Sequence, residues 1–348
     1  MTREPAVAGQ FYPGNPGGLK AELERLFSGA STKLSGNSLA VISPHAGYVY
    51  SGGVAASAFM QVDPDKEYEN IFVIGSSHRY AFNGASVYTH GNFRTPLGEV
   101  PVNIKQSREL IAANPFISDR SDAQINEHSL EVQLPFLQFW LRKKFQIIPI
   151  VIATQQASTC REIARTLKPY FVPSNLFVIS TDFSHYPGYD DACRIDRQTA
   201  EAILTNNPEG LLKSIAKNEH AGIPGLSTCL CGWTSVLTLL YLTENIQGIQ
   251  YRLVDYRNSG DAAGMENKSR VVGYYAISVG YTETLDNKDV TGMIFSQGDR
   301  KVLLDLARNA IITRLAGGER SGTGSVNLSA ALKQHAGVFV SLYRQGKL

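Results

Sequence analysis

Three short apolar runs, each followed within a few residues by a histidine, constrain the fold more than any other feature of this chain. They are 39–42 ahead of His45, 71–74 ahead of His78, and 176–179 ahead of His185. Apolar at every position and rich in β-branched residues, such runs read as strands buried on both faces, the habit of a parallel sheet covered by helices. Open α/β sheets bind their ligands beyond the carboxyl ends of the strands. His45, His78 and His185 are therefore expected to share one crevice, although any one of them alone reads as an ordinary loop histidine.

The intervening chain fits that scheme. Leu19, Leu23 and Leu26 mark a helix over 18–27, and 54–60, 105–113, 158–170, 191–205, 208–217 and 233–242 read as further helices. Strands are expected at 146–153, 250–256 and 271–279. Residues 85–90 and 100–104, on either side of Thr95-Pro96-Leu97-Gly98, read as an inserted β-hairpin. Leu130, Leu134, Leu137 and Leu141 form a helical stripe running to Phe145, in which Pro135 predicts a kink or a later start. Residues 5–17, rich in Pro and Gly around Phe11-Tyr12, read as an irregular arm packed on the body. The expected fold class is α/β: a mainly parallel central sheet flanked by helices, with an inserted hairpin.

At 348 residues, and about 150 residues per domain, there is room for one large domain and an appendage. Composition shifts at 282–288, dividing the chain into an α/β domain over 1–284 and a tail over 285–348. In the tail, 303–311 reads as an amphipathic helix and 337–343 as a strand with no partner, the opening of a domain cut short. A net charge of +2 gives no footprint for nucleic acid or an anionic membrane surface. No run approaches the roughly 20 apolar residues of a membrane helix, and the amino terminus has no signal-peptide core. Four cysteines in so long a chain make no disulfide framework. A cytoplasmic protein is expected.

His45 and His78 are the leading ligand candidates, because imidazole is the commonest side-chain metal ligand and strand ends hold it rigidly. A third ligand is needed, and both Asp182 and Cys231 are available. A carboxylate would suit non-haem Fe(II), a thiolate softer metals. Cys231 precedes Gly232 at a loop-to-helix junction, where a lowered pKa is expected; a buried structural thiol is the plainer reading. Cys229 adds a weak C-x-C chelate, while Cys160 and Cys193 read as structural. Asp182 and His185 suit a carboxylate that orients an imidazole for acid–base work. Glu127 and His128 either line the cleft or begin a helix, and Tyr48 either offers a phenol to a ligand or packs. No G-x-S-x-G elbow, Walker A loop, G-x-G-x-x-G fingerprint or H-E-x-x-H helix occurs.

Several stretches carry a resemblance. They are Ala6-Val7-Ala8-Gly9-Gln10-Phe11-Tyr12-Pro13, Pro44-His45-Ala46-Gly47-Tyr48 with Ser51-Gly52, and Gly75-Ser76-Ser77-His78. Asn126-Glu127-His128-Ser129-Leu130-Glu131-Val132-Gln133-Leu134-Pro135-Phe136, Ser180-Thr181-Asp182-Phe183-Ser184-His185-Tyr186 and Cys231-Gly232 continue it. Together they resemble the Memo family, whose prokaryotic members are called AmmeMemoRadiSam system protein B. The tail from 291 resembles the start of an AMMECR-type domain, the family's usual fused neighbour.

The resemblance implies a fold similar to the class III, LigB-type extradiol dioxygenases, which use non-haem iron. Carried over by position, His45, His78 and Cys231 match metal ligands. His185 matches the acid–base histidine of the dioxygenases, with Asp182 beside it. Cys231 stands where those enzymes use a carboxylate, which makes iron less favoured relative to copper or zinc and counts against ring cleavage.

Two functions follow as expectations. One is a metal-dependent, dioxygenase-like redox enzyme, with iron first and copper or zinc next, acting on an unidentified small molecule. The other is a non-catalytic adaptor that holds a metal or peptide in the same cleft, as eukaryotic relatives are described. A functional link to an AMMECR-type domain and a radical SAM protein is implied as well.

Overall fold

The computed structural model describes residues 2–34, 36–265 and 267–281, together with Asp305, Arg308 and Thr313. Ten strands occur among them: β1 (Ser38–Ser43), β2 (Asn70–Ser76), β3 (Ala85–Val87), β4 (Phe93–Thr95), β5 (Gly98–Val100), β6 (Ile117–Ser118), β7 (Ile147–Ile152), β8 (Asn175–Ser180), β9 (Ile249–Asn258) and β10 (Gly273–Tyr281). Eight form one sheet in the order β6-β3-β7-β2-β8-β1-β10-β9. Its centre, β7-β2-β8-β1, is parallel and buried at every residue. Antiparallel neighbours fringe it, β3 beside β7 and β10 beside β1.

Successive side chains of a strand point to opposite faces, so each apolar run feeds two cores. Ile42, Phe72, Ile74, Phe177 and Ile179 lie in one, under the helices Ala157–Leu167 and Trp233–Thr243. Val41, Ile71, Val73, Leu176 and Val178 lie in the other, under Pro16–Ser28, Tyr48–Phe59 and Leu134–Trp140. This two-sided burial is why the runs carry no polar alternation.

Three elements differ from expectation. β3 falls in the first expected hairpin arm but joins the main sheet, where Ala85 and Val87 are buried against β7. The hairpin is the tighter β4–β5 pair around Pro96-Leu97, closed by Gly98 at φ 121°, a conformation that strains a side chain. The helix expected over 54–60 begins at Tyr48, enclosing Gly52. A Cβ at Gly52 would lie 2.8 Å from Leu26 Cδ1, so close helix packing, not helix breaking, explains the glycine. The stripe over 130–145 meets the expectation of a later start: it divides into His128–Glu131 and Leu134–Trp140, with Pro135 in the first turn of the second.

The amino-terminal arm is locked, not merely packed. Arg3 is buried and donates to Glu131 Oε2 at 2.9 Å, the Gln124 carbonyl at 2.9 Å and the Glu127 carbonyl at 2.7 Å. Glu131 also accepts from the Ala6 and Val7 N–H groups and, at 2.6 Å, from the Tyr12 hydroxyl. The segment 124–131 is thereby fixed to the first residues of the chain.

The chain falls into two units, Met1–Glu283 and Thr284–Leu348. The strand expected over 337–343 and the AMMECR-type likeness fall outside the described residues, as does all but a few positions of the helix expected over 303–311. Among the described residues no helix is long and apolar enough to cross a membrane.

Candidate metal centre

His45, His78 and Asp182 each lie two residues beyond the end of a strand, β1, β2 and β8 respectively. Those strands are neighbours, and their register sets both Ser43 and Gly75 level with Ser180. Parallel pairing alone therefore turns a sequence pattern into a spatial cluster.

Cys231 comes from the turn ahead of the helix Trp233–Thr243. Its N–H donates to the Asp182 carbonyl at 3.2 Å, and the Asp182 N–H donates to its sulfur at 3.2 Å. Gly232 permits that approach, since a Cβ there would lie 2.6 Å from Thr181 Cβ. Gly75 serves the other side: a Cβ would lie 2.5 Å from Ser129 Oγ, so only glycine lets the Glu127–Ser129 turn rest on β2.

His45 Nε2 is 3.3 Å from Cys231 Sγ. The His45 and His78 rings stand at 89° with centroids 5.0 Å apart. One donor atom from each of His45, His78 and Cys231 lies within 4.8 Å of the others. His45 is buried and its N–H donates to Asp182 Oδ1 at 2.7 Å. His78 lies at the exposed mouth, where Glu127 braces it twice: backbone N to Oε2 at 2.9 Å, and Nδ1 to Oε1 at 2.9 Å. A carboxylate accepts only, so the ring proton sits on Nδ1 and Nε2 keeps its lone pair.

Electrostatics divide the cluster. Burial pushes His45 well below the usual imidazole value, with neighbouring His78 and His128 adding to the effect. Burial, helped by His78, brings His128 down to about 4. Burial also lowers His78, but the Glu127 hydrogen bond and charge outweigh it, so His78 sits above its usual value. Glu127 is held at about 2: burial would raise it, and the His78 contacts prevail. Burial raises Asp182, with His185 and the His45 N–H opposing. Burial and the Asp182 charge push the Cys231 thiol up, contrary to the lowering expected from a helix terminus.

The donor set suits a transition metal: two imidazole nitrogens and a sulfur, with a carboxylate behind one imidazole. It does not suit Ca²⁺ or Mg²⁺, which take oxygen ligands. His78, Glu127 and His128 form a second close group. There Glu127 Oε1 already accepts from His78 and from the Ser129 N–H, which marks Glu127 as a brace.

Other expected site residues fall differently. Tyr48 is in the core, its hydroxyl donating to the Val132 carbonyl at 2.7 Å, so it packs and does not face the cleft. Asp182 does not orient His185; His185 Nδ1 lies 3.1 Å from the Phe183 carbonyl, while Asp182 serves the His45 backbone. His128 does join the cluster, its ring 4.6 Å from that of His78 and 5.4 Å from that of His45. Cys229 turns away, its sulfur 3.9 Å from the Ile215 carbonyl, and no C-x-C chelate forms. Sequence reasoning missed Arg3, Gln133 and Ser180. The only local signal was their inclusion in or beside the motif stretches.

A family model described as Memo-like protein matches residues 3–278. The chain belongs to the Memo family. A MEMO1 family protein of Desulfurococcus amylolyticus is 32% identical over 288 residues, covering 79% of this chain and 98% of its own. One from Thermotoga petrophila is 33% identical over 287 residues, covering 79% and 98%. A solved structure, uncharacterized protein JW3007 from Escherichia coli K12, aligns over 69% of this chain at 14% identity and a TM-score of 0.43. The Memo match takes in His45, His78, Glu127, Asp182, His185 and Cys231, and stops ahead of the tail.

Proposed function

We propose that this Memo-family cleft is a metal-dependent redox centre in which His45, His78 and Cys231 hold iron, with copper or zinc as the competing metals. The observation that carries the reading is the 3.3 Å approach of His45 Nε2 to Cys231 Sγ, beside a His78 ring whose other nitrogen is tied to Glu127. A redox-active metal bound there supplies electron transfer and a Lewis-acidic position for a small ligand.

The protein's own groups supply the rest. Glu127 holds the His78 ring in place and adds electron density to it. His185 lies close enough to His45 and Asp182 to perturb both. Its Nδ1 donates to the Phe183 carbonyl, so its Nε2 is free to take a proton from a substrate hydroxyl. Asp182 holds the His45 backbone and sets a buried negative charge beside both ligands. Extradiol cleavage of a catechol-like substrate is the narrower form of this reading, and the thiolate donor weighs against it.

Purification without oxygen, followed by elemental analysis of wild type, Cys231→Ser and Cys229→Ser, tests the ligand set. Metal is expected in wild type and Cys229→Ser and lost from Cys231→Ser. Equal metal content in all three would refute it. Oxygen uptake by the iron-loaded protein, with and without catechol-like aromatics, then separates turnover from an adaptor role in which metal is held and no oxygen is consumed.

A further inference from the structure

A buried chain of hydrogen bonds behind His45 has one consistent arrangement of protons. Ser180 Oγ lies 2.7 Å from the Ser129 carbonyl, 3.0 Å from Gln133 Nε2 and 2.9 Å from His45 Nδ1. Gln133 Nε2 also lies 2.9 Å from the Pro44 carbonyl. A carbonyl can only accept. Pro44 therefore fixes which end of the Gln133 amide faces inward, and the second amide proton goes to Ser180. That orientation leaves Gln133 Oε1 buried without a partner. Ser129 takes the single hydroxyl proton of Ser180. Ser180 Oγ can then only accept from His45, so the imidazole proton must be on Nδ1.

We infer that Ser180, with its hydroxyl held by Ser129 and Gln133, is the positioning residue that locks His45 as the Nδ1–H tautomer and aims the Nε2 lone pair at Cys231. Ser180, Gln133 and Ser129 are all buried, so water does not offer the ring an alternative partner. The same turn governs both ligand histidines. Glu127 takes the Nδ1 proton of His78, and two residues later the Ser129 carbonyl dictates the proton on His45 through Ser180. Neither ring has to exchange a proton between its nitrogens before binding metal, and the cost of choosing a tautomer is met on folding. The inference rests on the metal reading for its purpose, though not for its geometry.

The test uses the full chain with ¹⁵N-labelled histidine, metal-free, at neutral pH. Long-range proton–nitrogen correlations distinguish a protonated Nδ1 from a protonated Nε2, and His45→Gln assigns the His45 signals. Wild type is expected to carry the His45 proton on Nδ1. Ser180→Ala removes the acceptor, and Nε2–H should become populated. Metal affinity, measured by competition with a chelator, should then fall by about tenfold to a hundredfold, the usual cost of losing a partner behind a ligand. Ser180→Cys, close in size and a poor acceptor, serves if the alanine variant does not fold. An Nε2–H tautomer in wild type, or an unchanged tautomer in a folded Ser180 variant, would overturn the assignment. If wild type shows Nδ1–H yet retains no metal, the assignment stands and the metal reading fails.

Discussion

His45 and Cys231 are 186 positions apart in the chain, yet Nε2 of one lies 3.3 Å from Sγ of the other. The contact joins a strand end early in the chain to a turn formed late in the sequence. It places a neutral imidazole against a neutral thiol, since burial lowers the first and raises the second. If Cys231 is a ligand, as proposed, metal entry must displace the thiol proton.

Affinity should accordingly rise with pH. With the Cys231 thiol held up by burial and by Asp182, it stays protonated across the neutral range. Each bound metal releases about one proton from it, which gives about tenfold in affinity per pH unit. His78, raised by Glu127, steepens the lower end. Chelator competition between pH 6 and 8 reads this slope, and a flat profile would show that sulfur is not a ligand.

Glu127→Gln should weaken metal binding by about tenfold to a hundredfold with the fold intact. The amide keeps an acceptor for His78 Nδ1 but loses the charge that raises the His78 pKa. The histidine resonance should titrate at lower pH in the variant. If it titrates where the wild type does, Glu127 does not brace His78.

Acid should destabilise the metal-free protein through His128. Its folded pKa of about 4 lies below the ordinary histidine value of about 6.5. The unfolded chain therefore takes up a proton that the folded one refuses as pH falls through that window. The stabilising contribution is present above about 6.5 and declines towards 4, by about 2 kcal/mol between pH 7 and 5. Urea denaturation of wild type and His128→Gln at those two pH values isolates the effect. Parallel losses in both proteins would assign the acid sensitivity elsewhere.

Arg3→Ala should cost about 3–5 kcal/mol, because it strands a buried carboxylate, Glu131. Arg142→Ala, which removes an exposed pair with Asp65, should cost about 1 kcal/mol or less. Equilibrium unfolding measures both. Equal losses would mean that the arm is not anchored through Arg3.

The meeting of His45 with His78 was legible because β1 and β2 flank β8 in the same parallel sense, and both histidines follow their strands by two residues. What surrounds them was not. The rise of the Cys231 thiol depends on burial by the Thr181-Asp182 loop, which local reasoning about a helix terminus does not see. The role of Ser180 depends on a carbonyl 51 residues away. Residues 85–90 read as a hairpin arm because nothing local reveals that β7 has a free edge to fill. Pro135, by contrast, was interpretable on its own, since its ring bears directly on where a helix starts.

The place of β1 in the sheet also orders events in time. Its two neighbours are β8 and β10, both encoded far downstream, so during synthesis on the ribosome a strand with an apolar centre, Leu39 to Ile42, keeps a bare edge until most of the chain has emerged. Pairing across such sequence distances is slow, and unpaired apolar edges invite aggregation. His45 hangs from the end of that strand. The cleft is thus among the last parts of the described fold to be completed, and a nascent chain interrupted before β10 exposes the strand that carries His45.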